Sequence, residues 1–473
     1  MPDRDAPSVV TRATRTWLPA LVLVGMLAVV VRQAARPLTN PDTYFHLRFG
    51  SEFLAGWSLT DPGTVTPLAT REWVPTQWLP QVLMAWSEDR VGLPGVAWFS
   101  GLQMILFVLA VVWTCRRRAD LVVVAVVVAV TVTACSPALS ARPQVLSYAF
   151  MALAVHAWWQ AARTGTRPWL LVPLTWFWAM WHGMWPFALV VGAVGIVAAV
   201  LHRRPPASEV RRQLAVLGSC ALAAALTPVG PAIYSAVLTV AGRGRFFAEW
   251  AAPDFTSGNG VALMLLATPA LLVWLRRGAD WPTVLFLGLG LGLALYSNRT
   301  MPLAAVTLAP LTAAALQSLI TAPRRPAGRR EPALALGAAV AALVVLAVLV
   351  PRTADTPPDQ PAWVDRALGA LPTGTVVLND WGDGGLVMWA HPQLHLVMHG
   401  YGDTFTTEEL ERNSDILDLE RGWQDLVRGT GAEVAFLRTD HPLTAALEDA
   451  GWIVEETSEE VELLTAPTGW DAG

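Results

Sequence analysis

Three groups of side chains in this sequence are of types, and at spacings, that could do chemistry. The first lies in the run Asn40-Pro41-Asp42-Thr43-Tyr44-Phe45-His46-Leu47-Arg48-Phe49-Gly50. If residues 42 to 54 are helical, Asp42 and His46 stand four apart and share a face. A carboxylate there could accept a proton from a hydroxyl, or it could simply stabilise the helix start, where Asn40 or Asp42 can cap and the dipole favours negative charge. The second group is Arg142 and Arg299, at the ends of apolar runs. A guanidinium there could hold phosphate oxygens bidentately, or snorkel to the membrane interface. The third is His182, Glu249 and the tryptophans Trp73, Trp78 and Trp250. Glu249 could bind sugar hydroxyls and the indoles could stack on a sugar ring. Their plain readings are a satisfied histidine, a solvated carboxylate and, for residues 76 to 86, an amphipathic helix lying at the interface. His391, His395 and His399 repeat every four residues. No Cys or carboxylate cluster completes a ligand set with them, so no metal is assigned, and a need for a divalent ion stays open.

The elements that must position these groups are mostly membrane helices. Hydrophobic residues make up 54% of the chain and charged ones 15%, against about 25% charged in a soluble domain. The net charge of -4 comes with no basic stripe, so nucleic acid is not an expected partner. The strong base is Arg throughout, with no Lys, and Cys115, Cys135 and Cys220 fall in or beside apolar runs with no disulfide or zinc spacing. On a template of about 20 apolar residues per span, about eleven segments qualify. They run near 17 to 35, 91 to 114, 119 to 135, 143 to 161, 168 to 181, 184 to 201, 212 to 228, 259 to 275, 281 to 297, 302 to 320 and 332 to 350. The first is expected to be an uncleaved anchor, because it is long enough to span and Arg32 stands where a leader would be cut.

Alternate loops are rich in Arg: Arg12 and Arg15, Arg116 to Arg118, Arg163 and Arg167, Arg203 and Arg204, Arg211 and Arg212, Arg276 and Arg277, and the stretch from Arg324 to Arg330. The positive-inside rule places these in the cytoplasm together with the N-terminus. An odd span number then puts residues 36 to 90, 228 to 258 and 351 to 473 outside. The reading is a transmembrane domain over 1 to 350, followed by a small extracytoplasmic α/β domain over 351 to 473. In the latter, Thr375 to Leu378, Leu394 to Met398 and Val434 to Leu437 read as strands and Thr407 to Arg428 as one amphipathic helix. A further helix through Ala446 and a hairpin around Val461 to Leu464 complete it.

The polar loop resembles the first outer loop of bacterial members of the GT-C glycosyltransferase superfamily, multi-spanning enzymes that use polyprenyl-phosphate sugars. The matching residues are Asp42, Phe45, His46-Leu47, Gly50, Asp61-Pro62, Thr66, Trp73 and Trp78-Leu79. Looser similarity continues at Arg142-Pro143, His182-Gly183, Thr227-Pro228 with Gly230, Glu249-Trp250, Asn298-Arg299, Asn379-Asp380-Trp381-Gly382 and Gly384-Gly385. The paired acidic residues that some families carry in this loop are missing, which weakens any case for a metal.

The resemblance implies a GT-C-like α-helical polytopic protein of the bacterial cell envelope, in the inner membrane. It implies transfer of a sugar from a polyprenyl-phosphate donor to a lipid, glycan or protein acceptor, with Asp42 as general base and inversion at the anomeric carbon. His46, Asp61, Trp73, Trp78, Arg142, His182, Glu249, Trp250 and Arg299 are then the expected substrate-binding residues. A transporter or flippase is the main alternative, but it calls for midplane ionisable groups and internal repeats, neither of which is visible. A non-catalytic scaffold of an envelope-assembly complex is the other.

Overall fold

The computed structural model describes residues 9–320, 328 and 330–470, so most of the stretch from Arg324 to Arg330 lies outside the described residues. The chain divides into two compact units: Met1–Arg36, Ala97–Thr227 and Phe247–Ala354 form one, and Pro37–Val96, Pro228–Phe246 and Asp355–Gly473 the other. The division is therefore not a single cut near residue 351. The two polar insertions belong with the C-terminal segment.

In the first unit each of the eleven apolar runs is a helix: Val9–Ala34, Leu93–Arg116, Leu121–Cys135, Gln144–Thr164, Leu171–Trp181, Pro186–Arg203, Ala207–Ala225, Gly258–Arg277, Trp281–Tyr296, Met301–Leu319 and Glu331–Thr353. Among the described residues six helices are long and apolar enough to cross a membrane alone, and a seventh span results if Ala207–Ala225 is read together with Gly230–Val240. Leu171–Trp181 and Trp281–Tyr296 are shorter. At 1.5 Å per residue the former rises only about 16 Å, roughly half of a hydrocarbon core.

Polar contacts nevertheless show that short and long helices alike run between the same two ends of the bundle. At one end the Arg-rich loops are tied together: Arg116 pairs with Glu331 at 2.9 Å, Arg163 with Asp280 at 2.7 Å, and Arg203 with Glu209. There too Arg118 donates to Gln160, Gln317 accepts from the Asp120 amide, and Arg277 donates to the Ser318 carbonyl. At the other end Gln33 donates to the Leu139 carbonyl, Trp181 to the Pro143 carbonyl, and the Asn298 amide to the Ala251 carbonyl. Bulky apolar side chains such as Leu21, Val126, Leu265, Leu272 and Val344 remain exposed on the bundle, as a lipid-facing surface requires.

The second unit is an α/β sandwich around five strands, β1 Val376–Asn379, β2 His395–Leu396, β3 Val434–Arg438, β4 Ile453–Thr457 and β5 Val461–Thr465, in the order β2-β1-β3-β5-β4. β1 is parallel to β2 and β3, and the β4/β5 hairpin is antiparallel to its neighbours. Alternation along the strands makes two cores. Val377, Val434, Phe436 and Leu463 face one side with Phe45, Phe49 and Trp73 from the first insertion. Leu378, Ala435, Leu437 and Leu464 face the other with Ile416, Leu443, Leu447 and Trp452. The single helix expected over Thr407 to Arg428 is two, Thr407–Leu417 and Trp423–Arg428, because Leu419 and Gly422 take positive φ between them. His399 falls outside the two-residue β2, so it does not share a strand face with His395.

Arginine side chains stitch the insertions to this sheet domain. Arg71 donates to the Asp403 carbonyl and to Thr239, while buried Arg243 donates to the Phe405 carbonyl at 2.7 Å and the Gly402 carbonyl at 3.3 Å. Arg245 pairs with Glu411, and the Thr70 hydroxyl donates to Glu409. These Arg residues lie in stretches otherwise poor in Arg. That exception to the loop charge pattern was a signal of a structural task.

Candidate functional site

In the first unit the segments before Gln144–Thr164, after Phe247 and before Met301–Leu319 bring three ionised groups together. Arg142 contacts Glu249 at 3.4 Å, Arg299 also pairs with Glu249, and all three side chains are one-third exposed or less. Local structure fixes each one. Arg299 rides a single 3-10 turn, Asn298–Thr300, closed by a reciprocal Ser297/Thr300 capping box. Glu249 and Trp250 occupy a similar turn, Ala248–Trp250, tied down where the Asn298 amide donates to the Ala251 carbonyl. The Arg299 guanidinium also lies 5.4 Å from the centre of the Trp250 ring, and Trp250 meets Tyr296 edge-on. Two guanidiniums thus share one carboxylate, and one of them also meets an indole ring.

His182 belongs to the same end of the bundle. It is an extended residue between two helices, buried, with its Nδ1 accepting from the Met184 amide at 3.2 Å, and the preceding Trp181 anchors to Pro143 beside Arg142. Arg142, Glu249, Trp250 and Arg299 therefore meet, and His182 stands at the same end of the bundle.

In the second unit Asp42 is the second residue of the helix Pro41–Leu54. Its amide is capped by the Asn40 side chain at 2.9 Å, so the cap position belongs to Asn40 and the half-buried Asp42 carboxylate is not the cap. The helix start rests on two glycines. A Cβ at Gly385 would come 2.2 Å from the Pro41 carbonyl oxygen, and one at Gly400 would come 3.2 Å from Asp42 Oδ1. Gly385→Ala must therefore shift backbone, and we expect a loss of about 1–3 kcal/mol in stability, read as a lower unfolding temperature of the full chain in lipid nanodiscs.

The remaining predicted residues of this unit divide between core and surface. His46 is buried with Nδ1 3.1 Å from the Gln81 amide nitrogen. Trp73 is 3% exposed and donates to the Gly63 carbonyl; it packs edge-on against Phe49 and Tyr401. Both serve the aromatic core here, and Trp73 presents no open face for stacking. Trp78 is half-buried at the start of Trp78–Val91, and Asp61 stands exposed on a loop. Gln81, the partner of His46, was not singled out by sequence because a lone glutamine carries no spacing signal.

The histidines of the C-terminal segment do not converge, and among the described residues no three His, Cys, Asp or Glu side chains are placed to share a metal ion. His391 pairs with Asp365 at 3.5 Å, whereas burial pushes the fully enclosed His399 down to about 3.

The Asn379-Asp380 motif is a strand-end brace. The Asn379 amide donates to the Met398 carbonyl and accepts from the Met398 amide, and Asp380 Oδ1 accepts from the Asp383 amide. Burial first, and the Asp380 charge second, raise Asp383 to about 6. A carboxyl raised from about 3.9 when unfolded holds its proton longer in the folded state, so its stability contribution is lost as pH rises through that window. Asp383→Asn is expected to gain stability relative to the natural chain between about pH 4 and 7, by at most about 3 kcal/mol. Thermal unfolding of the two proteins over a pH series checks this. The opposite slope from His399 is common to both and cancels.

The fold these elements make, a multi-pass membrane bundle with a small α/β unit, is shared with solved membrane-protein structures. Two solved structures show the likeness over nearly the whole chain. ArnT from Cupriavidus metallidurans, bound to undecaprenyl phosphate, aligns with a TM-score of 0.56 at 13% identity, over 97% of this chain and 99% of that one. The Archaeoglobus fulgidus oligosaccharyltransferase, tethered to an acceptor peptide, aligns with a TM-score of 0.51 at 13% identity, over 90% of this chain and 70% of that one. No family model matches the sequence, and no curated protein matches it.

Proposed function

We propose that this protein transfers a sugar from a polyprenyl-phosphate donor to an acceptor hydroxyl on the extracytoplasmic side of a bacterial inner membrane, with its N-terminus in the cytoplasm. The observation that carries the reading is the Arg142–Glu249–Arg299 cluster, two guanidiniums meeting at one carboxylate at the bundle end opposite the Arg-rich loops. That is the charge and depth a lipid phosphate needs. The shared fold supports it, since one structure with that fold holds undecaprenyl phosphate.

In this mechanism Asp42 accepts the proton of the acceptor hydroxyl as its oxygen bonds to the anomeric carbon. The bond from that carbon to the phosphate oxygen breaks with inversion, its electron pair passes to the departing polyprenyl phosphate, and Arg142 and Arg299 stabilise the charge. Asp42 then gives its proton to water. His182, Glu249 and Trp250 contact donor or sugar, and Asp61 and Trp78 serve the acceptor approach. Purifying the protein from its own membranes and extracting bound lipid tests the donor class. Recovery of a polyprenyl phosphate that Arg299→Ala no longer retains is expected; equal recovery from both would overturn the reading.

A further inference from the structure

We infer a second lipid site at the Arg-rich end of the bundle: Arg117 and Arg118, held by Trp113, His156 and Trp159, bind the phosphate of an anionic phospholipid headgroup. This site lies at the opposite end of the first unit from Arg142, Glu249 and Arg299, and does not depend on any transfer activity.

The helices Leu93–Arg116 and Gln144–Thr164 meet here through aromatic rings and guanidinium groups. The Arg117 guanidinium stacks 5.0 Å from the Trp113 ring centre, and Trp113 meets His156 at 4.6 Å. Arg118 lies 4.2 Å from the Trp159 ring and Arg163 lies 4.5 Å from it, so one indole carries two cations. Three of the arginines in this patch have defined local tasks. Arg116 is bound to Glu331 and Arg163 to Asp280, and Arg118 donates to Gln160. Arg117 has no carboxylate partner among the described residues, and it is exposed.

Stacking explains why this patch is more than loop charge. A ring against the face of a guanidinium leaves the edge of Arg117 open to an anion. It also fixes a side chain that would otherwise lose much rotamer freedom on binding. Trp113 is 42% exposed, where an interfacial indole contacts acyl chains at headgroup level. A phosphodiester on a diacyl chain matches both features: an anion for the guanidinium edges, and chains that continue along the exposed apolar helix faces.

Native mass spectrometry of the full-length protein, titrated in detergent with phosphatidylglycerol or phosphatidylcholine, tests this. The natural chain is expected to retain phosphatidylglycerol selectively. Arg117→Ala with Arg118→Ala should weaken that retention roughly 10- to 100-fold, and Arg117→Lys with Arg118→Lys should show an intermediate loss, since charge survives but ring stacking does not. Arg211→Ala with Arg212→Ala, in another Arg-rich loop, should leave retention unchanged. Equal retention of the two lipids, undiminished binding in the alanine protein, or the same loss in the Arg211/Arg212 control would overturn the site. So would displacement of the lipid by about 10 mM inorganic phosphate, which would mark a free-anion site instead. If the alanine protein does not fold, the lysine protein and the lipid comparison on the natural chain decide.

Discussion

Asp42→Asn is expected to lower the transfer rate by about 10²- to 10⁴-fold, the usual contribution of a positioned general base, while the protein inserts and folds as before. The structural reason for expecting such a clean separation is Asn40. Its side chain caps the helix through the Asp42 amide, so the neutral amide at 42 leaves that cap in place while removing the carboxylate charge near the helix N-terminus. Asn40→Ala is the complementary control and should cost about 1 kcal/mol of stability with a much smaller effect on rate. Assaying both proteins in the same nanodiscs, with unfolding temperature and rate measured side by side, separates helix capping from catalysis. An Asp42→Asn protein with full rate and normal donor binding would remove Asp42 from the mechanism while leaving the donor assignment intact.

The second large effect concerns Arg299 and its carboxylate. Losing one charge-assisted pair of contacts to phosphate is worth roughly 1.5–3 kcal/mol, so Arg299→Ala should weaken binding of a polyprenyl phosphate by about 10- to 150-fold. Arg142 is the weaker Glu249 partner at 3.4 Å, and its alanine variant should lose less. Glu249→Gln points the other way. It removes the carboxylate that both guanidiniums contact, leaving two neighbouring cations without it in a site that is one-third exposed or less. The unliganded protein should become less stable and the phosphate should bind more tightly. Equilibrium binding of the lipid, measured together with unfolding temperature with and without it, gives the sign. If Glu249→Gln binds the lipid more weakly, Glu249 orients the arginines and does not compete with the phosphate.

Both expectations draw on residues of quite different legibility. The eleven helices were readable as apolar runs, although only six or seven of those described are long and apolar enough to span alone, and the loop arginines gave each helix a direction. The two ends they define reappear as two separate sets of polar contacts. The run lengths did not show that Leu171–Trp181 would be only eleven residues long, since hydropathy does not mark where a helix gives way to a turn. In the C-terminal segment short apolar runs marked β1, β2, β3 and the hairpin around β5. The break between Thr407–Leu417 and Trp423–Arg428 was hidden, because Leu419 at positive φ is a choice made by packing and not by propensity.

The candidate residues divide along the same line. Asp42, Arg142, Glu249 and Arg299 could be picked from the sequence because charge is costly beside a membrane and stands out in a chain this apolar. Residue type and position alone determined that this is a multi-spanning protein with polar insertions, and which side chains could do chemistry. Only the tertiary structure decided that Glu249 receives both arginines, that Asn40 and not Asp42 caps the helix, and that Trp73 and His46 belong to a core. Only there, too, does the loop of residues 37 to 96 fold with a sheet more than 300 residues later in the chain. The physical reason is that these are long-range pairings. Burial and partner choice depend on which distant segments meet, and no local period or propensity encodes that.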